Sequence, residues 1–324
     1  MSTIRHTIPL IILALWIVPT AMAAGPVPHK ITFKNNCTQT IWVGQDGTIR
    51  DGWEMKTGAS VTKSIPVGFS GRWWPRTGCH FDIKDKCPTQ GVDCCDSGGC
   101  ITSDPHYFGL KCNGGGEPPV SVFEPTFDAH SGNGPIDYLD LSAVDGFSVP
   151  MQMAPNPGTY NPKPDPGMKA SIWCQTKGWK TNPTCPAELW DNVKKVCWGP
   201  CKYFTKVKKV KTGKNVANIC CDNTNLTNTK CDCTTNQCAG GFGCSPYSPG
   251  NDDERCYAKD KGKHGYWGDI VDATWPGIKN STQYITNVNT GIPGVYAWQF
   301  DDFNSTYNCR KTGGSVDYTI TFCP

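Results

Sequence analysis

The feature that most constrains this chain is its cysteine content, because 20 cysteines occur in 324 residues and all of them lie between Cys37 and Cys323. An even number of cysteines in a secreted chain predicts disulfide bonds, each of which stabilises a fold by roughly 2–4 kcal/mol. A zinc site is the competing interpretation, since Cys231, Cys233 and Cys238 are closely spaced. No histidine pair lies at ligand spacing nearby, and an oxidising compartment favours bridges over free thiolates. We therefore predict disulfides, with no metal and no other cofactor.

The N-terminus predicts the compartment. Arg5 precedes an apolar run over residues 8–18, and small residues lead up to Ala23. A basic start, an apolar run too short to span a bilayer and a small-residue end are typical of a cleaved signal peptide, and they disfavour a membrane anchor. We expect a signal peptide at residues 1–23 and a secreted, extracellular domain at residues 24–324.

The charge balance and hydropathy exclude some partners. The formal net charge is +3, and removal of Arg5 with the signal lowers it by one, which is too balanced to indicate a nucleic-acid partner. No later segment is apolar for long enough to span a membrane. We expect a monomer without a transmembrane segment.

Short runs of alternating or β-branched residues recur along the chain, punctuated by Gly, Pro and Asn, as is typical of a β-sandwich or barrel. The clearest of these runs are residues 30–33, 40–43, 60–67, 120–123 and 316–322. One helix candidate covers residues 185–193, with Pro186 at the first helical position and Glu188 in the first turn. The predicted fold class is mainly β.

The middle of the chain has a different character. Eleven cysteines lie from Cys174 to Cys256, mixed with Lys, Asn and Thr and with few apolar runs. Such a segment cannot build much core, so bridges must hold it. The simplest layout is a β core interrupted by an enlarged cysteine-rich subdomain at about residues 174–256.

Seven motifs follow one another between residues 31 and 324. They are ITFKNNCTQTIW at 31–42, GRWWPRTGC at 71–79, CPTQGVDC at 87–94, DYLDLSAVDGFSVPM at 137–151, YAWQFDD at 296–302, NSTYNC at 304–309 and FCP at 322–324. These motifs resemble those of thaumatin-like proteins, the pathogenesis-related thaumatin/osmotin type, and occur in that family's order. The resemblance implies a flattened β-sandwich core, a disulfide-rich loop and helix subdomain packed against it, and an acidic cleft between them.

The resemblance also implies particular disulfide pairings. Carried over one at a time, they are Cys37–Cys323, Cys79–Cys87, Cys185–Cys197 and Cys201–Cys220. Cys112 is expected to pair with Cys94 or Cys95, and the remaining member of that doublet with Cys100 in an extra bridge.

The chain departs from the family pattern at two cysteine positions. Lys169 and Ile292 stand where the family usually has cysteines, so the usual partners of Cys174 and Cys309 are missing. We still expect no free thiol, because the cysteine count is even. The pairings left open are those of Cys174, Cys221, Cys231, Cys233, Cys238, Cys244, Cys256 and Cys309.

Several carboxylates are spaced so that they can converge. Glu124 and Asp128 are four residues apart and would share a face on either a strand or a helix. Asp140 and Asp145 would lie on opposite faces of a straight strand, so they converge only if the chain turns at residues 143–146. By resemblance, the residues that match the family's cleft are Arg72, Glu124, Asp140, Asp145, one of Asp301 or Asp302, and Asp128 as a further acid. A turn aspartate without function is the alternative for Asp145.

Such a cluster has a definite chemistry. Neighbouring carboxylates raise one another's pKa, and an arginine among them restrains that shift. Hydrogen-bond acceptors in a cleft suit sugar hydroxyls, and aromatic faces beside them stack on sugar rings. The aromatic candidates are Trp73, Trp74, Tyr138 and Phe147. Alternation predicts that one of the two tryptophans is a core residue instead.

Two features outside the predicted cleft point to the surface. A lysine run comprises Lys202, Lys206, Lys208, Lys209, Lys211 and Lys214. Anionic glycans or lipid headgroups would suit such a run, but a solvated loop is the preferred interpretation. Three sequons, at Asn225, Asn280 and Asn304, predict glycosylation of exposed loops.

Three hypotheses of function remain, because a fold does not determine an activity. The first is a defence protein that binds β-1,3-glucan or a related cell-wall polysaccharide in an acidic cleft and is antifungal. The second is a weak endo-β-1,3-glucanase with Glu124, Asp140 and Asp145 as catalytic candidates. The third is an extracellular protein-interaction or inhibitor module. Retention of the cleft acids favours the first two.

Overall fold

A computed structural model describes residues 27–81, 94–101, 109–209, 276–297, 305–311 and 313–324, with only the backbone of residues 276–282. The expected signal peptide lies outside these residues, as does the cysteine-rich segment from residue 210 to residue 275. The division into a signal peptide and an enlarged subdomain therefore stays a prediction.

The described residues form fourteen strands and two α-helices. The strands are β1 (His29–Asn35), β2 (Ile41–Gly47), β3 (Asp51–Met55), β4 (Ser60–Ile65), β5 (Gly71–Thr77), β6 (Val122–Ala129), β7 (Ile136–Ser142), β8 (Gly146–Phe147), β9 (Met151–Pro155), β10 (Lys177–Gly178), β11 (Trp190–Asp191), β12 (Val196–Trp198), β13 (Thr306–Cys309) and β14 (Tyr318–Phe322). The helices are α1 (Pro200–Lys202), which continues as a π-helical turn (Tyr203–Val207), and α2 (Pro276–Gly291).

These strands form three sheets. The five-stranded sheet has the order β10-β9-β14-β1-β4, the six-stranded sheet β13-β7-β6-β5-β2-β3, and the small sheet β11-β12-β8. The pair β1–β14 is parallel, and the other pairs between the described strands are antiparallel. The prediction of a mainly β fold is confirmed.

The two larger sheets share one core. Burial alternates along β1, which puts Phe33 inside, and its ring lies 5.5 Å from Trp73 of β5 in the other sheet. Phe127 of β6 stacks on Tyr318 of β14 at 5.7 Å, again across the two sheets. Period-two alternation on facing sheets is the pattern of a sandwich core.

Both tryptophans of β5 are buried, although alternation predicts only one in the core. Trp73 belongs to the main core, and Trp74 on the opposite face packs with the Cys100–Cys112 disulfide. The Trp74 indole donates a hydrogen bond to the carbonyl of Gly98 at 2.7 Å. A loop covers the outer face of β5, so neither ring is open to a ligand.

The predicted helix at residues 185–193 is wrong. Only Ala187–Leu189 are helical, as a single 3₁₀ turn, and β11 begins at Trp190. Trp190 pairs with Cys197 of β12, which also bonds to Cys185. Sheet pairing and the disulfide outweigh the local helix signal, which is a weak determinant of structure.

Two of the expected disulfides are present: Cys37–Cys323 and Cys185–Cys197. Cys201 is also disulfide-bonded, and its expected partner Cys220 lies outside the described residues. The Cys37–Cys323 bond joins the residue just after β1 to the residue just after β14, so it connects the first and last described strands.

The expected Cys79–Cys87 pairing is wrong, because Cys79 bonds to Cys95. The backbone explains the choice. Antiparallel bridges connect residues 77 with 97 and 80 with 94, and this register puts Cys79 opposite Cys95. Because Cys95 bonds to Cys79, its neighbour Cys94 must bond to another cysteine, and Cys94 is indeed disulfide-bonded.

The pairing expected for Cys112 is wrong as well, because Cys112 bonds to Cys100 and not to the doublet. The chain folds back on itself here. Cys100 pairs with Gly116 in an antiparallel bridge, and the Ile101 N–H donates to the Gly115 carbonyl at 2.7 Å. This local turn brings the two sulfurs together.

Cys174 and Cys309, whose usual family partners are replaced, bond to each other. Trp173 and Asn308 form a parallel bridge, and the Cys174 N–H donates to the Asn308 carbonyl at 2.8 Å. The two orphaned cysteines therefore lie side by side. Their pairing fits the expectation that no thiol stays free.

Helix α2 packs against the turn after β7. The Tyr284 hydroxyl donates to the Ala143 carbonyl at 2.5 Å, and the Tyr284 ring stacks on Phe147 at 5.9 Å. These two contacts of Tyr284 make α2 a support for the turn that carries Asp145.

None of the helices in the described part of the chain is long and apolar enough to cross a membrane.

Candidate functional site

Three predicted site residues form a row across the centre of the six-stranded sheet. Trp73 of β5 pairs with Phe123 of β6, so their neighbours Arg72 and Glu124 lie opposite each other. Glu124 pairs in turn with Asp140 of β7. Arg72 Nε is 3.6 Å from Glu124 Oε1. Strand register thus brings together three residues that lie far apart in the sequence.

Asp145 reaches this row because the chain turns after β7. The Gly146 N–H donates to the Ala143 carbonyl at 3.0 Å, so the chain makes the turn at residues 143–146 that convergence of Asp140 and Asp145 requires. Gly146 has a φ of +112°, and a Cβ there would lie 2.2 Å from the Cys197 carbonyl oxygen. Only glycine fits both conditions. The charge of Asp145 contributes to raising the pKa of Glu124, so the two carboxylates are within electrostatic range.

Lys202 is the fifth member of the site. Its Nζ lies 3.6 Å from Asp145 Oδ1. The lysine is carried by α1, which follows Gly199, and a Cβ on Gly199 would lie 2.2 Å from the Val144 carbonyl oxygen. This close backbone approach sets α1 directly beside the Asp145 turn. We call Arg72, Glu124, Asp140, Asp145 and Lys202 the charged cluster.

The surroundings of Glu124 change the pH at which its carboxyl group is protonated. Burial raises the pKa of Glu124, the Arg72 guanidinium lowers it, and the Asp145 carboxylate raises it, with a net increase. About a third of the side chain, 35%, is still exposed. A carboxyl group with a raised pKa keeps its proton to a higher pH than usual, and can then donate a hydrogen bond.

One aromatic residue faces outward beside the cluster. Tyr138 lies two residues before Asp140 on β7, so their side chains share a face, and 36% of Tyr138 is exposed. Phe147 is buried against Tyr284 and the two tryptophans of β5 are buried too. Of the four aromatic candidates, Tyr138 alone is available to a ligand.

Asp128 does not share a face with Glu124, contrary to expectation. The β6–β7 register shifts between Thr126 and Ala129, and Asp128 has a φ of +52°. Its carboxylate therefore turns toward His29, whose Nε2 lies 2.8 Å from Asp128 Oδ2. A bulge of this kind redirects a side chain to the other face of its strand.

His29, Asp128, Asp137 and Tyr318 form what we call the buried network. His29 Nδ1 lies 2.6 Å from the Val316 carbonyl oxygen, which can only accept a hydrogen bond. The other ring nitrogen faces Asp128, so when that carboxyl group is ionised both nitrogens donate and the ring is an imidazolium. Asp137 accepts from the Asp128 N–H at 2.9 Å and from the Tyr318 hydroxyl at 2.6 Å.

The spacing of this network resembles that of a metal site. The ligand atoms of His29, Asp128 and Asp137 all lie within 4.8 Å of one another. Each of the three side chains is already hydrogen-bonded to protein groups, and His29 carries the positive charge between the carboxylates. The residues therefore fit an ion-paired hydrogen-bond network without a metal ion.

The predicted loop is a helical segment in the structure, because Lys202 ends α1 and Lys206 lies in the π-helical turn that follows. Lys202 contacts Asp145, Lys206 Nζ lies 2.9 Å from both Glu117 carboxylate oxygens, and Lys208 is 3.5 Å from Glu188. The side chains of these three lysines are still 36–47% exposed, so the segment is solvated as expected. Other predicted residues lie outside those whose side chains are described: Lys211, Lys214, Asn225, Asn280, Asp301, Asp302 and Asn304.

Sequence reasoning missed two residues that the structure brings to these clusters. His29 was not singled out because the histidines show no ligand spacing, and its partner Asp128 is 99 residues away. Lys202 looked like the other members of its run. No local signal marks either residue, since each acquires its partner through long-range packing.

Comparisons with known proteins agree with the motifs. The thaumatin family matches residues 35–242. Thaumatin-like protein 1a of Malus domestica is 31% identical over 311 residues, covering 93% of this chain and 92% of that protein. Pathogenesis-related protein 5 of Arabidopsis thaliana is 29% identical and covers 96% of each chain. A glucan endo-1,3-beta-glucosidase of Prunus avium is 28% identical, covering 93% of this chain and 92% of its own length.

Among solved structures, a thaumatin-like xylanase inhibitor is 27% identical, covers 40% of this chain and 78% of the inhibitor, and has a TM-score of 0.30. The family match spans more than half of the chain and includes the whole charged cluster. The full-length relatives extend the similarity over almost all of the sequence. The chain belongs to the thaumatin family.

Proposed function

We propose that this protein is secreted and binds β-1,3-glucan or a related cell-wall polysaccharide through the charged cluster, in a defence role. The observation that carries the proposal is the meeting of Arg72, Glu124 and Asp140 from three strands, with Asp145 at the next turn. Carboxylates accept hydrogen bonds from sugar hydroxyls, and guanidinium and ammonium groups donate to them.

The exposed ring of Tyr138 supports the same ligand class. It lies on the face of β7 that carries Asp140, so a sugar ring bound over the cluster can stack on it. The names of two relatives also support the proposal. One is a glucan endo-1,3-beta-glucosidase, and the other is a pathogenesis-related protein.

Pull-down on insoluble β-1,3-glucan tests the proposal. Glu124→Gln combined with Asp140→Asn should weaken binding by roughly tenfold or more, because two charge-assisted hydrogen bonds are lost. The matched control replaces Lys206, Lys208 and Lys209 with Ser, which removes charge from the neighbouring segment and should change binding little. The opposite pattern would move the binding site to the lysine segment.

Slow hydrolysis of the same polymer is a second candidate, favoured by the raised pKa of Glu124. A glycosidase needs one carboxyl group that is protonated and one that is ionised. Glu124 is the candidate acid, and Asp140 or Asp145 is the candidate base. Arg72, only 3.6 Å from Glu124, favours ionisation of the acid and opposes this role. We therefore expect slow or no turnover.

Release of reducing ends from laminarin, followed from about pH 4 to pH 7, separates the two functions. The wild type and Glu124→Gln should both release little or nothing, while the wild type retains glucan binding. Robust turnover that disappears in Glu124→Gln, with binding intact, would rank the enzyme above the binding protein.

A further inference from the structure

The charged cluster contains two charge pairs that are close but not bonded. Arg72 Nε and Glu124 Oε1 are 3.6 Å apart, and so are Lys202 Nζ and Asp145 Oδ1. A separation of 3.6 Å is too long for a hydrogen bond between nitrogen and oxygen, which spans about 2.7–3.2 Å. Each pair therefore holds a donor and an acceptor that do not satisfy each other.

Two other ion pairs among the described residues are closed. Lys206 contacts both oxygens of Glu117 at 2.9 Å, and Arg310 lies 2.8 Å from Asp165. For the side chains of the two open pairs, by contrast, the structure gives no hydrogen bond to any described residue. These side chains are between 34% and 48% exposed, so a ligand can reach them.

We propose that Lys202 is a ligand-binding residue of the charged cluster, and that the cluster binds an uncharged polyhydroxyl ligand whose hydroxyls bridge the two open pairs. A hydroxyl in such a position donates a hydrogen bond to the carboxylate and accepts a hydrogen bond from the cation. This inference rests on the proposed function, because it specifies how the polysaccharide is held. It adds Lys202 to the binding site, a residue that the sequence analysis named only as one member of the lysine run.

The charge balance of the cluster favours a neutral sugar. Two cations, Arg72 and Lys202, face three carboxylates, so an added acidic group would meet excess negative charge. Like charges brought together at a binding surface are unfavourable and select against the wrong partner. A hydroxyl group carries no such penalty and uses both halves of each pair.

Lys202 is also well placed before any ligand arrives. Gly199 lets α1 approach the backbone of Val144, and Tyr203 and Phe204 bury the following turn in the core. The backbone that carries Lys202 is thus anchored on both sides. Prior anchoring lowers the entropy lost when a side chain is immobilised by a ligand.

Titration of soluble laminarin, a neutral β-1,3-glucan, tests the assignment with three variants of the full mature chain. Lys202→Met should weaken binding by about tenfold, since a charge-assisted hydrogen bond is lost. Lys202→Arg should restore most of the affinity. The matched control is Lys208→Met, which removes the same charge from the same segment but pairs with Glu188, and it should change binding by less than about twofold.

The outcomes separate the two proposals. If the wild type binds laminarin and Lys202→Met binds equally well, the role of Lys202 is overturned while the proposed function stands. Polygalacturonate serves as the acidic competitor and should bind more weakly than laminarin. If the wild type binds polygalacturonate but not laminarin, or binds neither polymer, both the proposed function and the neutral-ligand inference are overturned.

Discussion

The strand β6 carries one member of each charged group, and the two groups differ in almost every physical respect. Glu124 belongs to the partly exposed charged cluster, whose two ion pairs are 3.6 Å long. Asp128, four residues later, belongs to the buried network, where the contacts are 2.6–2.9 Å. Carboxylates and cations are accessible to a ligand in the charged cluster, whereas in the buried network they are hydrogen-bonded to one another.

Solvent access explains the difference. An exposed ion pair contributes about 0–1 kcal/mol to stability, because water screens it and already solvates both ions. A buried pair has lost that solvation, so each partner depends on the other. The comparison therefore predicts that changes in the buried network affect folding, and that changes in the charged cluster affect binding.

The largest expected effect is that of removing the buried cation. His29→Ala should lower the free energy of unfolding by about 3–5 kcal/mol, because Asp128 and Asp137 are left without their positive partner. Denaturant unfolding measures the change. The matched control is Lys202→Met, which removes a cation from an exposed pair and should cost less than about 1 kcal/mol. Equal costs for the two variants would end the comparison.

The next effect is a dependence of stability on pH. Burial raises the pKa of Asp137 to about 6, although the His29 charge opposes this. Burial alone would lower the pKa of His29, but its hydrogen bond to Asp128 and the charge of Asp137 outweigh burial and raise it. Both groups bind protons more tightly in the folded state. The contribution of Asp137 to stability should therefore fall by roughly 2 kcal/mol between about pH 4 and pH 7, and that of His29 should be lost above about pH 6.5.

Asp128, the third titratable group of the buried network, affects stability only at lower pH. Burial would raise the pKa of Asp128, but its hydrogen bond to His29 prevails and lowers it, so its contribution is lost only below about pH 4. Denaturant midpoints measured at several pH values check the profile. Asp137→Asn should flatten the decline between about pH 4 and pH 6. A decline that keeps its slope in this variant would assign the proton to another group.

A smaller effect concerns the exposed aromatic residue beside the charged cluster. Tyr138→Ala should weaken laminarin binding by about fivefold, because a stacking contact contributes on the order of 1 kcal/mol. Isothermal calorimetry measures the affinity, and Tyr138→Phe keeps the ring and should bind like the wild type. Unchanged affinity in Tyr138→Ala would remove this face of β7 from the binding site.

The smallest effect is on stability at the charged cluster itself. Glu124 and Asp140 are directly opposed across β6 and β7, and like charges in this position are destabilising by a fraction of a kcal/mol. Glu124→Gln should therefore raise the free energy of unfolding at neutral pH by a few tenths of a kcal/mol. A loss above about 1 kcal/mol would mean that Glu124 has a structural role like that of Asp137.

Local patterns in the sequence predicted the strands well. The alternating run at residues 30–33 lies within β1, and the run at residues 316–322 contains β14. The Asp145 turn was also predictable, because Gly146 follows the aspartate and two carboxylates five residues apart need a turn to meet. Period-two alternation and turn residues are local signals, so they can be recognised without knowledge of the partner strands.

The predictions that were wrong concern features that depend on contacts between distant segments. The helix expected at residues 185–193 lost to the β11–β12 pairing, and the Cys79 bond depends on a register that no single segment specifies. The bulge that turns Asp128 inward arises between two strands and not within one. Contacts between distant segments decide these features, and so they were accessible only from the folded chain.

The position of β14 has a consequence for how the protein is made. Although it is the last strand of the chain, β14 lies between β9 and β1 in the five-stranded sheet. Neither neighbour can complete its pairing until residues 318–322 have left the ribosome, so the sandwich cannot close before these residues are made. A premature stop before Tyr318 would leave β1 and β4 as a two-stranded antiparallel pair with an unpaired edge on β1, and such edges promote aggregation. Synthesis through residue 322 is therefore a condition for a complete five-stranded sheet.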